Sequence, residues 1–180
     1  MKLFLIVEGP SDEIIFRYQC DWLKSLGIEK VAIRPADGKD KMIRDAQKHY
    51  RTSISQGADI VIFLLDQDND VCAMATRTKL KVESLDKACV IVVKRELEAW
   101  LLADGQCIRN TFRCNYHASG QTDSFMSPKD KLQAITRQQL GYPLTETEYA
   151  YRIAPHFSIF RAASNNTSAK RFKEFVKIHH

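Results

Sequence analysis

At 180 residues, with 44% hydrophobic and 27% charged side chains, the chain can bury a real core, and its composition excludes a disordered or fibrous protein. Its net charge of +5 is unevenly spread: residues 1–104 hold 16 Lys and Arg against 17 Asp and Glu, whereas residues 105–180 hold 11 against 5. No apolar run approaches a membrane span, and Met1–Lys2 followed by five apolar residues is too short for a signal peptide, so a cytoplasmic protein without membrane contact is expected.

Leu3–Val7 reads as a buried strand that ends on Glu8. Gly9 and Pro10 punctuate it; Pro10 suits a first helical turn, and Ser11 or Asp12 can cap it. Ile14, Ile15, Tyr18, Trp22, Leu23 and Leu26 then recur at helical spacing, which predicts one helix closed by Gly27. Val31–Arg34 is a short second strand ended by Pro35, and Met42, Ile43, Ala46 and Tyr50 mark an amphipathic helix. Gly57 leads into a third strand, Asp59–Leu65, which runs into Asp66. Val71, Met74, Ala75, Val82 and Leu85 predict another helix with a polar middle. Cys89–Val93 is the fourth strand, and Glu96–Ala103 is expected to be helical, with Trp100 as a packing anchor. The order βαβαβαβα predicts an α/β fold: a parallel four-stranded sheet flanked by helices and wound with right-handed crossovers.

Beyond Asp104 the texture changes. Gly105–Asp123 is polar without a clear period and reads as a loop or an irregular excursion. Pro128–Leu140, Glu146–Ile153 and Ser168–Ile178 are helix candidates. The expected organisation is a sheet domain over 1–104 and a mostly helical, basic C-terminal extension over 105–180 packed on it. Cys20, Cys72, Cys89, Cys107 and Cys114, odd in number and scattered, fit reduced thiols. Cys107, Cys114 and His117 lack the CxxC pair that would support structural zinc.

The apolar strands carry the functional signal, because acids follow three of them. Glu8 ends the first and Asp66 the third, and Lys94, Arg95 and Glu96 follow the fourth; a second acid stands close behind each, at Asp12, Asp68 and Glu98. In open α/β sheets the crevice outside the carboxyl ends of the strands is where ligands bind. Carboxylates gathered there repel one another unless a cation or shared protons compensate, and oxygen donors of this kind suit Mg²⁺ or Mn²⁺. Asp66-Gln67-Asp68 read as extended chain would aim Asp66 and Asp68 at one ion. Glu96 and Glu98 cannot share one face of a regular helix, so only one is expected at the cluster unless the first turn is extended. Plainer readings stand beside these: Asp12 and Glu13 also complement a helix dipole, and an Asp- and Asn-rich turn is also simply solvated. A calcium loop fails on spacing, with Val71 where Gly is needed and Arg77 where the bidentate Glu belongs. No GxxxxGK[ST] or GxGxxG is present, Gly38-Lys39 is too little to count as a phosphate cradle, and His49, His117, His156, His179 and His180 build no convincing Ser–His–Asp arrangement. An acidic centre beside a basic segment suits a polyanionic substrate, although such a surplus is also what a solvated face looks like.

Glu8-Gly9 after a strand, Asp66-x-Asp68 after a later one and the acidic segment after the fourth together resemble a TOPRIM domain, over residues 1–104. That metal-binding Rossmannoid fold is shared by topoisomerases, bacterial primases, RecR-like proteins, small ribonucleases and OLD-type nucleases. The shape EGPSDE … LLDQDND … RELEAWLLAD is most similar to small prokaryotic TOPRIM-like proteins related to the OLD nucleases. That wider group often works beside an ABC- or SMC-type ATPase in phage-defence loci. The resemblance implies Glu8 as metal ligand or general acid/base, Asp66 and Asp68 as metal ligands, and Asp12 with Glu96 or Glu98 at a second metal site. It also implies a downstream lysine at the transition state, for which Lys129 foremost, Lys131 and Lys170 are candidates. Topoisomerase and primase roles are disfavoured, since those proteins carry large additional domains. The expectation is a divalent-metal-dependent nuclease cleaving DNA or RNA, the effector partner of such an ATPase, with self-association left open. The alternatives are a non-catalytic scaffold that binds nucleic acid or a partner protein, and metal-dependent phosphoryl chemistry on a small molecule.

Overall fold

The computed structural model describes residues 1–118 and 120–179; Ser119, in the segment expected to be irregular, and His180, half of the terminal histidine pair, lie outside the described residues. Four strands, β1 (Lys2–Val7), β2 (Lys30–Pro35), β3 (Ile60–Asp66) and β4 (Ala88–Val93), form an all-parallel sheet in the order β2-β1-β3-β4. Helices flank it, as the alternating sequence predicts. Both faces of the sheet are covered, which is why its strands read as unbroken apolar runs. Leu3, Leu5, Val7, Ile62 and Leu64 point into one core; Phe4, Ile6, Val61, Phe63 and Leu65 point into the other.

The second face is closed by α3 (Lys39–Ser55), through Met42 and Ala46, and by Leu80 and Val82. The first face is closed by α1 (Pro10–Arg17), α2 (Cys20–Ser25), α5 (Glu98–Ala103) and the chain beyond Asp104. That later chain forms α6 (Gly105–Phe112), α7 (Pro128–Leu140), α8 (Glu146–Ile153), α9 (Ile159–Ala162) and α10 (Thr167–Ile178). Its Tyr149, Ile153, Phe172 and Val176 belong to one continuous core with Leu3, Ile15 and Trp100. Trp100 is the anchor expected: it is fully buried, meets Phe16 and Phe172 at 6.2 and 5.7 Å between ring centroids, and donates Nε1 to Ser168 Oγ at 2.8 Å. No helix among the described residues is long and apolar enough to cross a membrane.

Four elements depart from the sequence expectations. The helix expected from Ile14 to Leu26 is broken at Tyr18–Gln19. The buried Gln19 amide donates to Phe157 O (3.0 Å) and accepts from Ile159 N (3.3 Å), so a polar side chain without water finds its partners on a distant turn. The helix expected through Leu85 is only α4 (Ala73–Thr78); the chain turns at Lys81, with φ +53°, and Val82 reaches the core from a turn. The helix expected from Glu96 begins two residues later, at Glu98, after Arg95 takes φ +68°. Gly105–Phe112, expected to be irregular, is helical: Asp104 caps it by accepting from Cys107 N at 3.1 Å, and Cys107, Ile108 and Phe112 are buried. Among the described residues of the rest of that segment, only a single 3₁₀ turn, Thr122–Ser124, is regular.

Asp104 ties these parts together. Its fully buried carboxylate also accepts from Ser158 N (2.9 Å) and, bidentately, from Arg161 Nε and Nη2 (both 2.8 Å). Asp104→Ala would orphan two backbone N–H groups and a half-buried guanidinium, so a loss of about 3 kcal/mol is expected in urea unfolding. A loss no larger than the ~1 kcal/mol of an exposed ion pair would show that this carboxylate does not hold the helices in place.

Candidate active site

β1, β3 and β4 are neighbours, so the residues that follow each strand meet at one edge of the sheet. There Glu8, Asp12, Asp66, Asp68, Glu96 and Glu98 line a single cleft of about 250 Å³, with Lys129 and Glu146, from the first turns of α7 and α8, on the same wall. The structure thus brings together every acid singled out from the sequence. Glu146 is a seventh carboxylate that sequence reasoning missed; it lies far along the chain, and its position at a helix start has an ordinary explanation in the helix dipole.

Glu8, Asp12, Asp68, Glu96 and Glu98 are each held by a donor. Glu8, at the tip of β1, accepts from Asp66 N through Oε1 at 2.6 Å, while its carbonyl accepts from Gly38 N at 2.8 Å. Asp12, in the first turn of α1, reaches back to Gly9 N at 3.0 Å through Oδ2. Glu96 Oε2 accepts from Lys129 N at 2.9 Å. Glu98, 8% exposed, accepts from the Tyr149 hydroxyl. Both Glu96 and Glu98 line the cleft because Glu96 stands outside the helix that Glu98 begins.

Asp68 corrects the extended reading of Asp66-Gln67-Asp68. It takes φ +52°, a conformation that Asp tolerates better than most residues, and its N–H donates to Arg95 O at 2.8 Å. Asp66 therefore faces the cleft from the end of β3, and Asp68 from the turn that follows it. Asp68 Oδ2 accepts from Lys39 Nζ at 2.7 Å, and the same ammonium donates to Asp66 O at 2.6 Å. Lys39, only 17% exposed, is the cation that sequence reasoning passed over. Gly38-Lys39 is no phosphate cradle, but its place at the turn after β2, beside β1, was the available signal.

The three candidate lysines separate. Lys129 lines the cleft, and its Nζ is hydrogen-bonded to Glu146, which raises its pKa. Lys131 lies over the Phe125 ring, 3.7 Å from its centroid, and Lys170 faces Glu174 at 3.8 Å; neither is on the cleft wall. Lys173 and Lys177 stand over the exposed ring of Phe160, so part of the basic surplus of the C-terminal region lies away from the acids.

Burial and crowding hold Glu8, Asp12, Asp66 and Glu98 toward their protonated forms. Burial pushes Glu8 up to about 7, against the Asp66 N–H and with the help of the Asp68 charge. Burial likewise raises Asp12 to about 6 and Glu98 to about 7. Asp66 is raised well above the usual carboxylate range by burial and then by the charges of Glu8, Asp12 and Glu98. In chemistry this all-oxygen, charge-frustrated donor set suits a hard divalent cation. In position it is not closed around one point: among the described residues no three His, Cys, Asp or Glu side chains stand in an arrangement that would hold a metal ion. The ties to Asp66 N, Gly9 N, Tyr149 and Lys39 each commit one oxygen of Glu8, Asp12, Glu98 and Asp68, and Ser11 Oγ donates to the second oxygen of Asp12 at 3.4 Å. No protein-family model, curated protein or solved structure matched the chain.

Acids with raised native pKa values stabilise the fold below their unfolded values and lose that contribution as pH rises through the native ones. For Glu8 and Glu98 the window runs from the ordinary 4.5 to about 7. Without divalent cations, unfolding free energy is expected to fall across that window, less steeply in Glu8→Gln. Stability that holds level or climbs there, with the Glu8→Gln curve parallel to that of the unaltered protein, would contradict the charge frustration.

Proposed function

We propose that the chain is a divalent-metal-dependent nuclease that hydrolyses a phosphodiester of DNA or RNA. The observation that carries this reading is the gathering of acids from the ends of β1, β3 and β4 into one cleft with a lysine on its wall. Glu8, Asp66 and Asp68 are the residues to hold a first Mg²⁺ or Mn²⁺, and Asp12, Glu96 and Glu98 to hold a second. What the cation supplies when bound is polarisation of the phosphate and a more acidic water.

The chain's own groups divide the remaining work. Glu8 Oε1 is committed to the Asp66 N–H, so Oε2 is the atom left to serve, either as ligand to the cation or as general acid/base. Tyr149 orients Glu98 by donating its hydroxyl to Oε1. Lys129, held by Glu146, is the ammonium on the cleft wall that meets the phosphate as negative charge develops. The resemblance to OLD-related TOPRIM proteins adds the finer proposal of an effector working with an ABC- or SMC-type ATPase in phage defence. The absence of a phosphate-loop motif from this sequence agrees with that division of labour.

Glu8→Gln and Asp66→Asn are each expected to lower Mn²⁺-dependent cleavage by at least about 100-fold, with unchanged circular dichroism. The assay covers plasmid, single-stranded DNA and tRNA, and full activity in either variant would sink the proposal. One observation favours a second reading, a scaffold that binds without cutting: Lys39 already supplies Asp68 with a counter-charge. Calorimetric titration separates the two. The nuclease binds Mn²⁺ and loses that binding in Asp66→Asn; the scaffold gives no heat in either form.

A further inference from the structure

Away from the acidic cleft, β4 is an open edge: β3 pairs one side of it, and no strand among the described residues pairs the other. The N–H and C=O of one strand residue point to the same side, and the side alternates along the chain. Lys87 O accepts from Val61 N and Val93 O from Gln67 N, both at 2.8 Å, so the odd-numbered residues face β3. Ala88, Val90 and Val92 therefore face outward. The ends of this row are closed within the chain, by Ala88 N donating to Leu85 O at 2.9 Å and Lys94 N donating to Ser168 Oγ at 3.2 Å. Between those ends, the N–H and C=O of Val90 and Val92 have no hydrogen-bond partner among the described residues.

The row is accessible. α4 and α10 flank the edge and leave a groove of about 400 Å³ floored by Cys89–Val92, with Met74 and Arg77 on one side and Arg171 and Phe175 on the other. Met74 is 61% exposed, and Val71, just before α4, is 91% exposed. A parallel sheet ordinarily hides such apolar side chains and such an edge. Neither Arg77 nor Arg171 forms an ion pair among the described residues, although other arginines of the chain do.

We propose that the open edge of β4 is a docking site for an extended segment of a partner protein, apolar at alternate positions and acidic at its flanks, which joins the sheet as a fifth strand. Main-chain bonds to Val90 and Val92 supply the register, the apolar walls take alternate side chains, and Arg77 and Arg171 select the acidic flanks. The charge also argues against a second copy of this chain as the occupant. A two-fold pairing of β4 with itself would set one groove carrying Arg77 and Arg171 against another, like charge to like charge. The proposal is independent of the reading of the acidic cleft.

The test is fluorescence anisotropy with labelled peptides of alternating valine and threonine, flanked in one by glutamates and in the other by lysines. The glutamate-flanked peptide is expected to bind at least about tenfold more tightly, and the double variant Arg77→Glu, Arg171→Glu to reverse that order. Val92→Pro removes an outward N–H while leaving the ladder to β3 intact, and is expected to weaken binding about tenfold or more without altering circular dichroism. Should Val92→Pro fail to fold, the surface arginine pair decides alone. Equal binding of the two peptides overturns the proposal, as does an order that survives charge reversal. So does sedimentation showing a dimer that either variant converts to monomer, because the edge would then belong to a second copy.

Discussion

Like charges crowded into the low-dielectric edge of a parallel sheet repel, and the folded chain offsets that repulsion with donors drawn from separate parts of the molecule. A backbone N–H from β3 holds Glu8, one from the turn after β1 holds Asp12, and one from α7 holds Glu96. A phenol from α8 holds Glu98, and an ammonium from α3 holds Asp68. These elements converge through the apolar cores they share with the sheet, and that convergence is what brings the donors to the acids. The cleft is thus a product of the whole fold as well as a place for chemistry. Its carboxylates are pre-positioned but not converged, which suits a site completed by whatever cation or polyanion enters it.

The chain beyond Asp104 has two roles in that arrangement. It covers the face of the sheet that α1, α2 and α5 leave open, and it delivers Lys129, Glu146 and Tyr149 to the cleft. Its net positive charge is not focused on the acids. Of its lysines and arginines, among the described residues, only Lys129 lines the cleft, and Lys173 and Lys177 lie over Phe160 instead. The pairing of acidic centre and basic region that composition suggests is thus real at one lysine and spread over the surface elsewhere.

How much was legible in the sequence follows from range. Strands buried on both faces write themselves as apolar runs, so β1 to β4 and the acids at their tips were readable, and adjacency at one edge followed from the fold class. The helices Pro128–Leu140 and Glu146–Ile153 were readable because proline at the first turn and a Thr145–Glu148 capping box are local signals. What escaped depends on partners far along the chain. The α6 helix rests on Asp104, whose carboxylate is fixed by Arg161; the break after α1 rests on Gln19 bonding to Phe157 and Ile159. Lys39 became visible only once β2 lay beside β1. The turn at Asp68 depends on a carbonyl of Arg95 that no alternation rule anticipates.

Gln19 has a consequence for the order in which the molecule takes shape. Its side chain joins the first α-helical unit to residues 138 and 140 positions later, and Glu98 waits 51 positions for Tyr149. Contacts of such separation make folding slow, because a long loop must close before they form. During synthesis the strands and their acids emerge well before the residues that hold them. A nascent chain therefore carries Glu98 without its phenol and Glu96 without its N–H donor, and the cleft is complete only once α7 and α8 have emerged.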